Sequence, residues 1–280
     1  MSVHLVGEDL ELGYQGTTVV HGVSLTLRPG AVTALVGPNG SGKSTVLRSL
    51  ARLHRVWSGT VRLGADDGEL EDAAPLSARH FARRVTLLSQ SRPHPSGLDV
   101  RDVVRFGRHP HRGRFAGLTD ADRTAVDRAL HLTGIADMAD RPVDQLSGGE
   151  LQRVWLATCL AQDTGVVLLD EPTNHLDLRY QVEVLDLVRT LADDHGTAVG
   201  LVLHDLGHAA VVADEVVLLH HGRVVDRGTP AAVLGGPHLS EVYGLPIHTH
   251  VDDETGLVRV EVLPNHVRRR REPTHHGGTP

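Results

Sequence analysis

Short runs of apolar residues, each bounded by glycine or polar residues, predict the strands of a buried sheet. Residues Val32–Gly37 read VTALVG, Gly165–Pro172 read GVVLLDEP and Thr197–Asp205 read TAVGLVLHD. Runs of this length and composition are typical of strands that are covered on both faces. Between the second and third runs, LRYQVEVLDLVRTLADDHG has the spacing of an amphipathic helix that ends at a glycine. This alternation predicts a mainly parallel α/β sheet, with its chemistry at the carboxyl ends of the strands.

The stretch from about residue 98 to 163 has a different pattern. Its segments DVRDVVRFGRH, DADRTAVDRALHLTG and GGELQRVWLATCLAQ have helical spacing and little strand character. We therefore predict one domain over residues 1–264, with an inserted helical subdomain at about 98–163. The last residues, 265–280, contain four consecutive arginines and are predicted to form a flexible Arg/His-rich tail. Contact of that tail with acidic lipid or nucleic acid is the alternative.

Composition narrows the class of protein. With 40% hydrophobic residues, the chain of 280 residues can bury a core, and its net charge of -7 gives no reason to expect a nucleic-acid binder. A single cysteine, Cys159, excludes an internal disulfide, and its helical setting favours a packing role. The acidic N-terminal stretch does not resemble a signal peptide, and no apolar run reaches the ~20 residues of a membrane span. A membrane role is therefore expected to come through a partner.

The only lysine of the chain, Lys43, lies in GPNGSGKS, residues Gly37–Ser44. This segment matches G-x-x-x-x-G-K-[ST] between a predicted strand and a predicted helix, which is the context that a phosphate-binding loop requires. Its glycines let backbone N–H groups surround phosphate oxygens, and a lysine supplies a compact charge that an arginine fork does not replace. The predicted nucleotide-binding residues are Gly37, Pro38, Asn39, Gly40, Ser41, Gly42, Lys43, Ser44 and Thr45, and the Ser44 hydroxyl is also a predicted Mg²⁺ ligand.

Two carboxylates follow the second predicted strand. Asp170 and Glu171 come after four apolar residues, VVLL. An aspartate at this edge of the sheet can hold Mg²⁺ through water. The adjacent glutamate can orient or deprotonate a water for in-line attack on a γ-phosphate. We therefore predict that Asp170 is a magnesium residue and that Glu171 is the catalytic base.

The segment LSGGELQR, residues Leu146–Arg153, resembles the LSGGQ signature of ABC-type ATPases, with Glu150 in place of the glutamine. The resemblance implies a RecA-like P-loop NTPase core with an antiparallel β subdomain and an inserted α-helical subdomain. It also implies ATP and Mg²⁺ as ligands. Two copies would meet head to tail, so that Ser147, Gly148, Gly149 and Glu150 of one copy cover the ATP of the other.

Four further residues take their expected roles from the same resemblance. Tyr14 resembles the aromatic residue that stacks on adenine, and Gln90, in LLSQS, resembles the loop glutamine that senses Mg²⁺ and the transporter. The resemblance therefore implies that Gln90 is both a catalytic and a magnesium residue. Asp177, in NHLD, is similar to the aspartate that communicates across the dimer. His204, in VLHD, resembles the histidine that contacts the γ-phosphate, and it lies at the end of the third predicted strand. It is therefore an expected catalytic residue.

Three kinds of ABC protein remain possible at this point: an importer subunit, an exporter subunit and a soluble ATPase. One cassette without sustained heptads disfavours the soluble class. The segment VRDVVRFGRHPHRG and the C-terminal LSEVYGLPIHTHVDDETGLVRVEVLP resemble iron-chelate and vitamin B12 importers. The resemblance favours a ferric siderophore as cargo, ahead of haem or cobalamin. It implies separate membrane permease subunits, an extracytoplasmic substrate-binding protein, no nucleic-acid partner, and a peripheral position on the cytoplasmic face of the membrane.

The segment from Arg92 to Arg114 is rich in arginine and histidine. It is either a docking face for a membrane partner or a solvated helix face, and charge reversal at Arg105 and Arg108 is expected to distinguish the two. The histidines of GRHPHRGRF and HTHVDDE lack the spacing of a closed metal tetrad, which favours solvated loops over a zinc site.

Overall fold

The computed structural model of the chain describes residues 3–65, 69–90, 95–113, 117–174, 176–252, 254 and 256–262. The predicted tail, residues 265–280, lies outside them. Twelve strands are present in this part of the chain: β1 (Val3–Tyr14), β2 (Thr17–Leu27), β3 (Val32–Val36), β4 (Val56–Ala65), β5 (Glu71–Asp72), β6 (Val85–Leu88), β7 (Val166–Asp170), β8 (Ala198–Val202), β9 (Glu215–His220), β10 (Arg223–Gly228), β11 (Ile247–Val251) and β12 (Val258–Val262).

Nine α-helices are present in the same described ranges: α1 (Lys43–Leu50), α2 (Ala78–Ala82), α3 (Val100–Arg105), α4 (Asp120–Leu132), α5 (Gly148–Ala161), α6 (Leu178–Asp193), α7 (Leu206–Val212), α8 (Pro230–Leu234) and α9 (His238–Tyr243). Short 3-10 helices cover Phe106–His111, Ala136–Met138 and Val143–Gln145. None of the described helices is long and apolar enough to cross a bilayer.

A six-stranded sheet lies at the centre of the fold, in the order β10-β9-β3-β8-β7-β6. All its neighbouring strands are parallel except the edge pair β9 and β10. The three strands predicted from apolar runs are β3, β7 and β8, and every residue of each is buried. The prediction of a mainly parallel α/β sheet is confirmed, and the carboxyl ends of β3, β7 and β8 lie at one edge.

An antiparallel sheet, in the order β2-β1-β4-β5, packs against one face of the central sheet together with α1. Because successive residues of a strand point to opposite faces, Leu168 of β7 faces this sheet, while Val167 and Leu169 face the helices on the other side. The central sheet is thus covered on both faces, which explains why its strands are apolar without alternation. A two-stranded hairpin, β11 and β12, packs against α7 and α8.

Between β6 and β7, the described residues form helices and turns, with one isolated bridge between Asp99 and Pro142. The helices α3, α4 and α5 pack on one another, and their apolar faces join the core beneath the central sheet. Cys159 lies on the buried face of α5, as its sequence setting predicts. The domain limits at residue 264 and at about 98–163 stay predictions.

Arg108 does not belong to a solvated or docking face, and this corrects the interpretation of the arginine-rich segment. Its side chain is only 7% exposed, and its Nε donates to Asp122 Oδ1 at 2.8 Å. Its Nη1 donates to the Ala161 carbonyl at the end of α5, also at 2.8 Å. Arg105, three residues earlier, is 40% exposed and pairs with Asp102 on the same helix. Charge reversal at Arg108 is therefore expected to destabilise the helical region, so a loss of transport in that variant would not report on docking.

Candidate nucleotide-binding and catalytic site

The phosphate loop joins β3 to α1 and requires glycine at two positions for steric reasons. Gly37 has φ +144, and a Cβ there would lie 2.0 Å from the Leu219 carbonyl oxygen. Gly42 has φ +101, and its Cβ would lie 2.8 Å from Val20. Both conformations favour glycine, and both close approaches exclude a side chain. The loop is thus held between β2 and β9 in a shape that other residues would change.

Lys43 begins α1, and its side chain folds back over the loop. The ammonium Nζ donates to the carbonyl oxygens of Gly37 at 2.8 Å and Pro38 at 2.9 Å. Burial lowers the pKa of Lys43, while the negative charges of Glu171 and Asp170 act in the opposite direction. A positive charge is therefore held at the loop, facing two carboxylates that lie at the end of β7.

Asp170, fully buried at the end of β7, joins the phosphate loop to the sheet. Its Oδ1 accepts from the Ser44 hydroxyl at 2.7 Å, and its Oδ2 accepts from Arg48 Nη2 at 3.3 Å. Ser44 and Asp170 are 126 residues apart in the chain. Arg48, one turn further along α1, was missed by sequence reasoning because an arginine in a helix carries no signal of its partner.

Glu171 is the centre of a second cluster at the same edge of the sheet. Its carboxylate accepts from the side-chain amides of Gln90, at 2.8 Å, and Asn174, and it contacts the ring Nε2 of His204. Glu171 is 9% exposed and adopts φ +56, a left-handed conformation that is unusual for a residue with a side chain. Three of the four residues, Gln90, Glu171 and His204, are predicted catalytic residues, and Asn174 is an addition from the structure.

Tyr14 ends β1 close to the phosphate loop. Its hydroxyl lies 3.4 Å from the Thr45 Oγ1, and its side chain is 45% exposed. The predicted base-stacking residue therefore lies beside the phosphate loop and is partly exposed to solvent.

Ser147 and Glu150 form a capping box at the start of α5. Ser147 Oγ accepts from the Glu150 backbone N–H at 3.3 Å, and the Glu150 carboxylate accepts from the Ser147 N–H at 2.7 Å. These hydrogen bonds lower the pKa of Glu150, first through the Ser147 backbone, and Arg141 adds a smaller effect of the same sign. The spacing S-x-x-E is itself a sequence signal for such a cap. A glutamine can make the same cap, and the glutamate found here adds a negative charge at the N-terminus of α5.

The remaining predicted residues lie around the start of α5 and α6. Asp177 caps α6, with its Oδ1 accepting from the Tyr180 N–H at 3.0 Å. Gly149 faces Leu176, which precedes that cap, and Tyr180, which follows it. Gln152 of α5 donates to the Pro172 carbonyl, one residue after Glu171. This hydrogen bond connects α5 to the segment that carries Glu171, the predicted catalytic base, and the sequence did not predict it.

The residues around Ser44 fit a magnesium ion. Mg²⁺ prefers oxygen ligands and usually keeps several waters. The Ser44 hydroxyl and the Asp170 carboxylate meet at hydrogen-bond distance beside the phosphate loop. Gln90, the third predicted magnesium residue, makes its hydrogen bond with Glu171 instead. No cluster of three His, Cys, Asp or Glu side chains with metal-binding geometry occurs in the described part of the chain, so a transition-metal centre is not indicated there.

A parallel sheet with a phosphate loop after one strand, and an aspartate and glutamate after another, defines a P-loop ATPase. The sequence profile of the ABC transporter family matches residues 20–174. The chain belongs to this family, and it is an ATP-binding ATPase. Tyr14, Asp177 and His204 lie outside the matched range, although the fold brings Tyr14 and His204 to the same site.

Relatives with assigned functions cover most of the chain. The iron(3+)-hydroxamate import ATP-binding protein FhuC of Bacillus subtilis is 38% identical over 89% of this chain and 90% of its own length. The cobalamin import ATP-binding protein BtuD of Halobacterium salinarum is 40% identical over 99% of this chain and 67% of its own. A solved structure of an inward-facing ABC transporter, assigned to the metal-chelate type, is 26% identical with a TM-score of 0.80. The match covers 95% of this chain and 100% of the chain in that structure.

Proposed function

We propose that this chain is the ATP-hydrolysing subunit of an ABC importer, which energises uptake of a ferric siderophore or related iron chelate through separate permease subunits. The cluster around Glu171 carries the catalytic part of the proposal, because it brings a carboxylate, a histidine and an amide together beside the phosphate loop. The import relative for iron(3+)-hydroxamate supports the cargo class. Cobalamin is the second candidate, supported by the relative that matches over 99% of the chain.

In the proposed reaction, Lys43 supplies positive charge to the β- and γ-phosphates of ATP, and the backbone N–H groups of the loop bind their oxygens. Glu171 orients a water for in-line attack on the γ-phosphorus and accepts its proton on a carboxylate oxygen, while the bond to the β,γ-bridging oxygen breaks and ADP leaves. His204 and Gln90 hold that carboxylate in position, because each already contacts it. Ser44 and Asp170 would hold a Mg²⁺ ion, which would supply positive charge against the phosphates when bound.

The catalytic unit is proposed to be a dimer of this chain. Ser147, Gly148 and Gly149 open α5, and the first N–H groups of a helix bind anions well. A second copy would present this end to the ATP held by Lys43 and Ser44, with Asp177 at the contact. A single chain would therefore hydrolyse ATP poorly, and its turnover is expected to rise more than linearly with protein concentration.

The membrane partners are proposed to be integral permease subunits and an extracytoplasmic substrate-binding protein, with this chain on the cytoplasmic face. Arg105 is a candidate docking residue, since it is partly exposed and precedes the exposed Phe106. Arg105→Glu is expected to reduce recovery of the chain with membranes while leaving ATP affinity unchanged. Normal membrane association of that variant would remove Arg105 from the docking surface.

Uptake of labelled cargo tests the function directly. Cells that lack this chain would carry the natural sequence, Glu171→Gln or the matched control Glu241→Gln, which makes the same change at an exposed position. Uptake of radiolabelled iron from several siderophores is then compared. Loss for one chelate in the Glu171→Gln cells, with normal uptake in the control, would support an iron-chelate importer and identify its cargo. Normal uptake of every iron chelate would direct the test to haem and cobalamin, and normal uptake of those would contradict the importer.

A further inference from the structure

Tyr14 has an aromatic neighbour that the family signature does not include. The ring of His54 lies with its centroid 4.5 Å from that of Tyr14, at an interplanar angle of 46°. His54 follows α1 and lies 40 residues after Tyr14 in sequence. It is not part of any of the motifs identified in the sequence. Tilted aromatic pairs at this separation stabilise each other beyond the area they bury.

The turn that ends α1 directs His54 toward Tyr14. Arg52 adopts φ +59, and the backbone N–H groups of Leu53 and His54 both donate to the Arg48 carbonyl, at 2.8 and 3.2 Å. Arg48 also donates to Asp170 through its side chain. Because α1 begins at Lys43, one helix connects the His54 ring to the phosphate loop and to the end of β7. The position of His54 is therefore fixed relative to the phosphate site.

The backbone that precedes Tyr14 is fixed as well. Trp57 packs against Gly13 so closely that a Cβ on Gly13 would lie 2.4 Å from the indole ring. Tyr14 thus follows a glycine that lies against Trp57, and its ring contacts His54, while 45% of the residue remains open to solvent.

The position of the His54 ring depends on packing rather than on a hydrogen bond from its Nε2. Its Nε2 is shielded from solvent, and no hydrogen-bond partner for that nitrogen occurs among the described residues. A shielded nitrogen without a partner is costly, so a hydrogen bond at Nε2 does not stabilise this position of the ring. The contact that the ring does make is with Tyr14.

We propose that His54 is a positioning residue for the nucleobase: its ring holds the Tyr14 ring in the orientation that receives the base of ATP. This inference rests on the proposed function. When His54 is replaced, Tyr14 gains rotational freedom that binding of the base must remove again. The expected loss of ATP affinity is about two- to tenfold, the range that an aromatic pair contributes.

Binding measurements on the purified full chain test the inference. Calorimetry with Mg²⁺ compares ATP with inorganic tripolyphosphate, which has the phosphates but no base. The His54→Ala variant is expected to lose two- to tenfold in ATP affinity and to keep its affinity for tripolyphosphate. His54→Phe retains a ring and is expected to bind ATP within about twofold of the natural chain. In a Tyr14→Ala background, His54→Ala is expected to have no further effect, because the two residues act through one contact.

Three results would overturn this role. Equal loss for ATP and tripolyphosphate would mean that His54 acts on the phosphate loop or on folding in general. A full additional loss in the Tyr14→Ala background would mean that the two rings act independently. An unchanged ATP affinity in His54→Ala would remove the role altogether. Failure of the unsubstituted chain to bind ATP would instead contradict the proposed function, so the two failures are distinguishable.

Discussion

The buried pair of Arg108 and Asp122 gives the sharpest test of how the helical region is held together. Arg108 joins three elements: the 3-10 helix Phe106–His111 that carries it, α4 through Asp122, and the end of α5 through the Ala161 carbonyl. The two side chains are 7% and 5% exposed. Arg108→Ala removes the cation and leaves the aspartate charge buried, together with an unpaired carbonyl oxygen.

The magnitude follows from that burial. Removal of one partner of a buried ion pair costs about 3–5 kcal/mol, whereas an exposed pair contributes about 1 kcal/mol or less. For a chain of this size, 1 kcal/mol corresponds to a shift of roughly 2–3 °C in the melting temperature. Arg108→Ala is therefore expected to lower the melting temperature by about 6–15 °C. Arg105→Ala, whose pair with Asp102 is exposed, is the matched control and should lower it by less than about 3 °C.

Thermal unfolding, followed by circular dichroism, measures both variants under the same conditions. The double variant Arg108→Met with Asp122→Asn removes both charges and is expected to recover part of the loss, since no unpaired charge remains. Melting temperatures of Arg108→Ala and Arg105→Ala that agree within about 2 °C would refute the reasoning. They would mean that burial of the pair contributes nothing to stability.

The remaining predictions concern the nucleotide site and acid stability. Lys43→Ala is expected to weaken ATP binding roughly 10- to 100-fold, the value of a hydrogen bond to a charged group, and equal affinity in calorimetry would contradict its role. Glu171→Gln should retain ATP binding but slow hydrolysis by about 100-fold or more, and it should accumulate the ATP-bound dimer in gel filtration. Near-normal phosphate release would require another base. Burial alone would raise the pKa of Asp122, but hydrogen bonds from Thr119 and Arg108 outweigh it and lower the pKa to about 2. Because the pKa of Asp122 is lower in the folded state than in the unfolded state, its ionised carboxylate stabilises the fold above about pH 4. This stabilisation is lost as the pH falls toward about 2. The free energies of unfolding of the natural chain and of Asp122→Asn, measured by denaturant titration at several pH values, should therefore converge at low pH. A difference between them that stays constant with pH would contradict the low pKa.

The phosphate loop and the three central strands were predictable because they depend on neighbours along the chain. The loop from Gly37 to Ser44 is specified by residue types at fixed spacing, and its conformation requires glycine at the positions where sequence has it. The strands β3, β7 and β8 are apolar throughout because both faces are covered, and this pattern is read directly from sequence. Glu171 was predicted as the catalytic base because it follows such a strand in a chain that has a phosphate loop.

The residues that sequence reasoning missed or misjudged are those whose partners lie far away along the chain. Arg108 reads as one arginine among several in a basic segment, yet the packing of α4 and α5 buries it against Asp122. Arg48 and His54 lie on or after α1 without any motif, and only the approach of β7 and β1 gives them Asp170 and Tyr14 as neighbours. Glu171 and Gln90 meet across 81 residues.

The sequence by itself determined the class of chemistry, three strands of the central sheet and the family, since each depends on short-range spacing. Tertiary structure decided which charges are buried, which side chains hold Glu171 and which ring supports Tyr14. The physical reason is that burial and electrostatics depend on what packs against a side chain. That packing is set by several elements at once, while hydrophobic periodicity and loop geometry are set by a few consecutive residues.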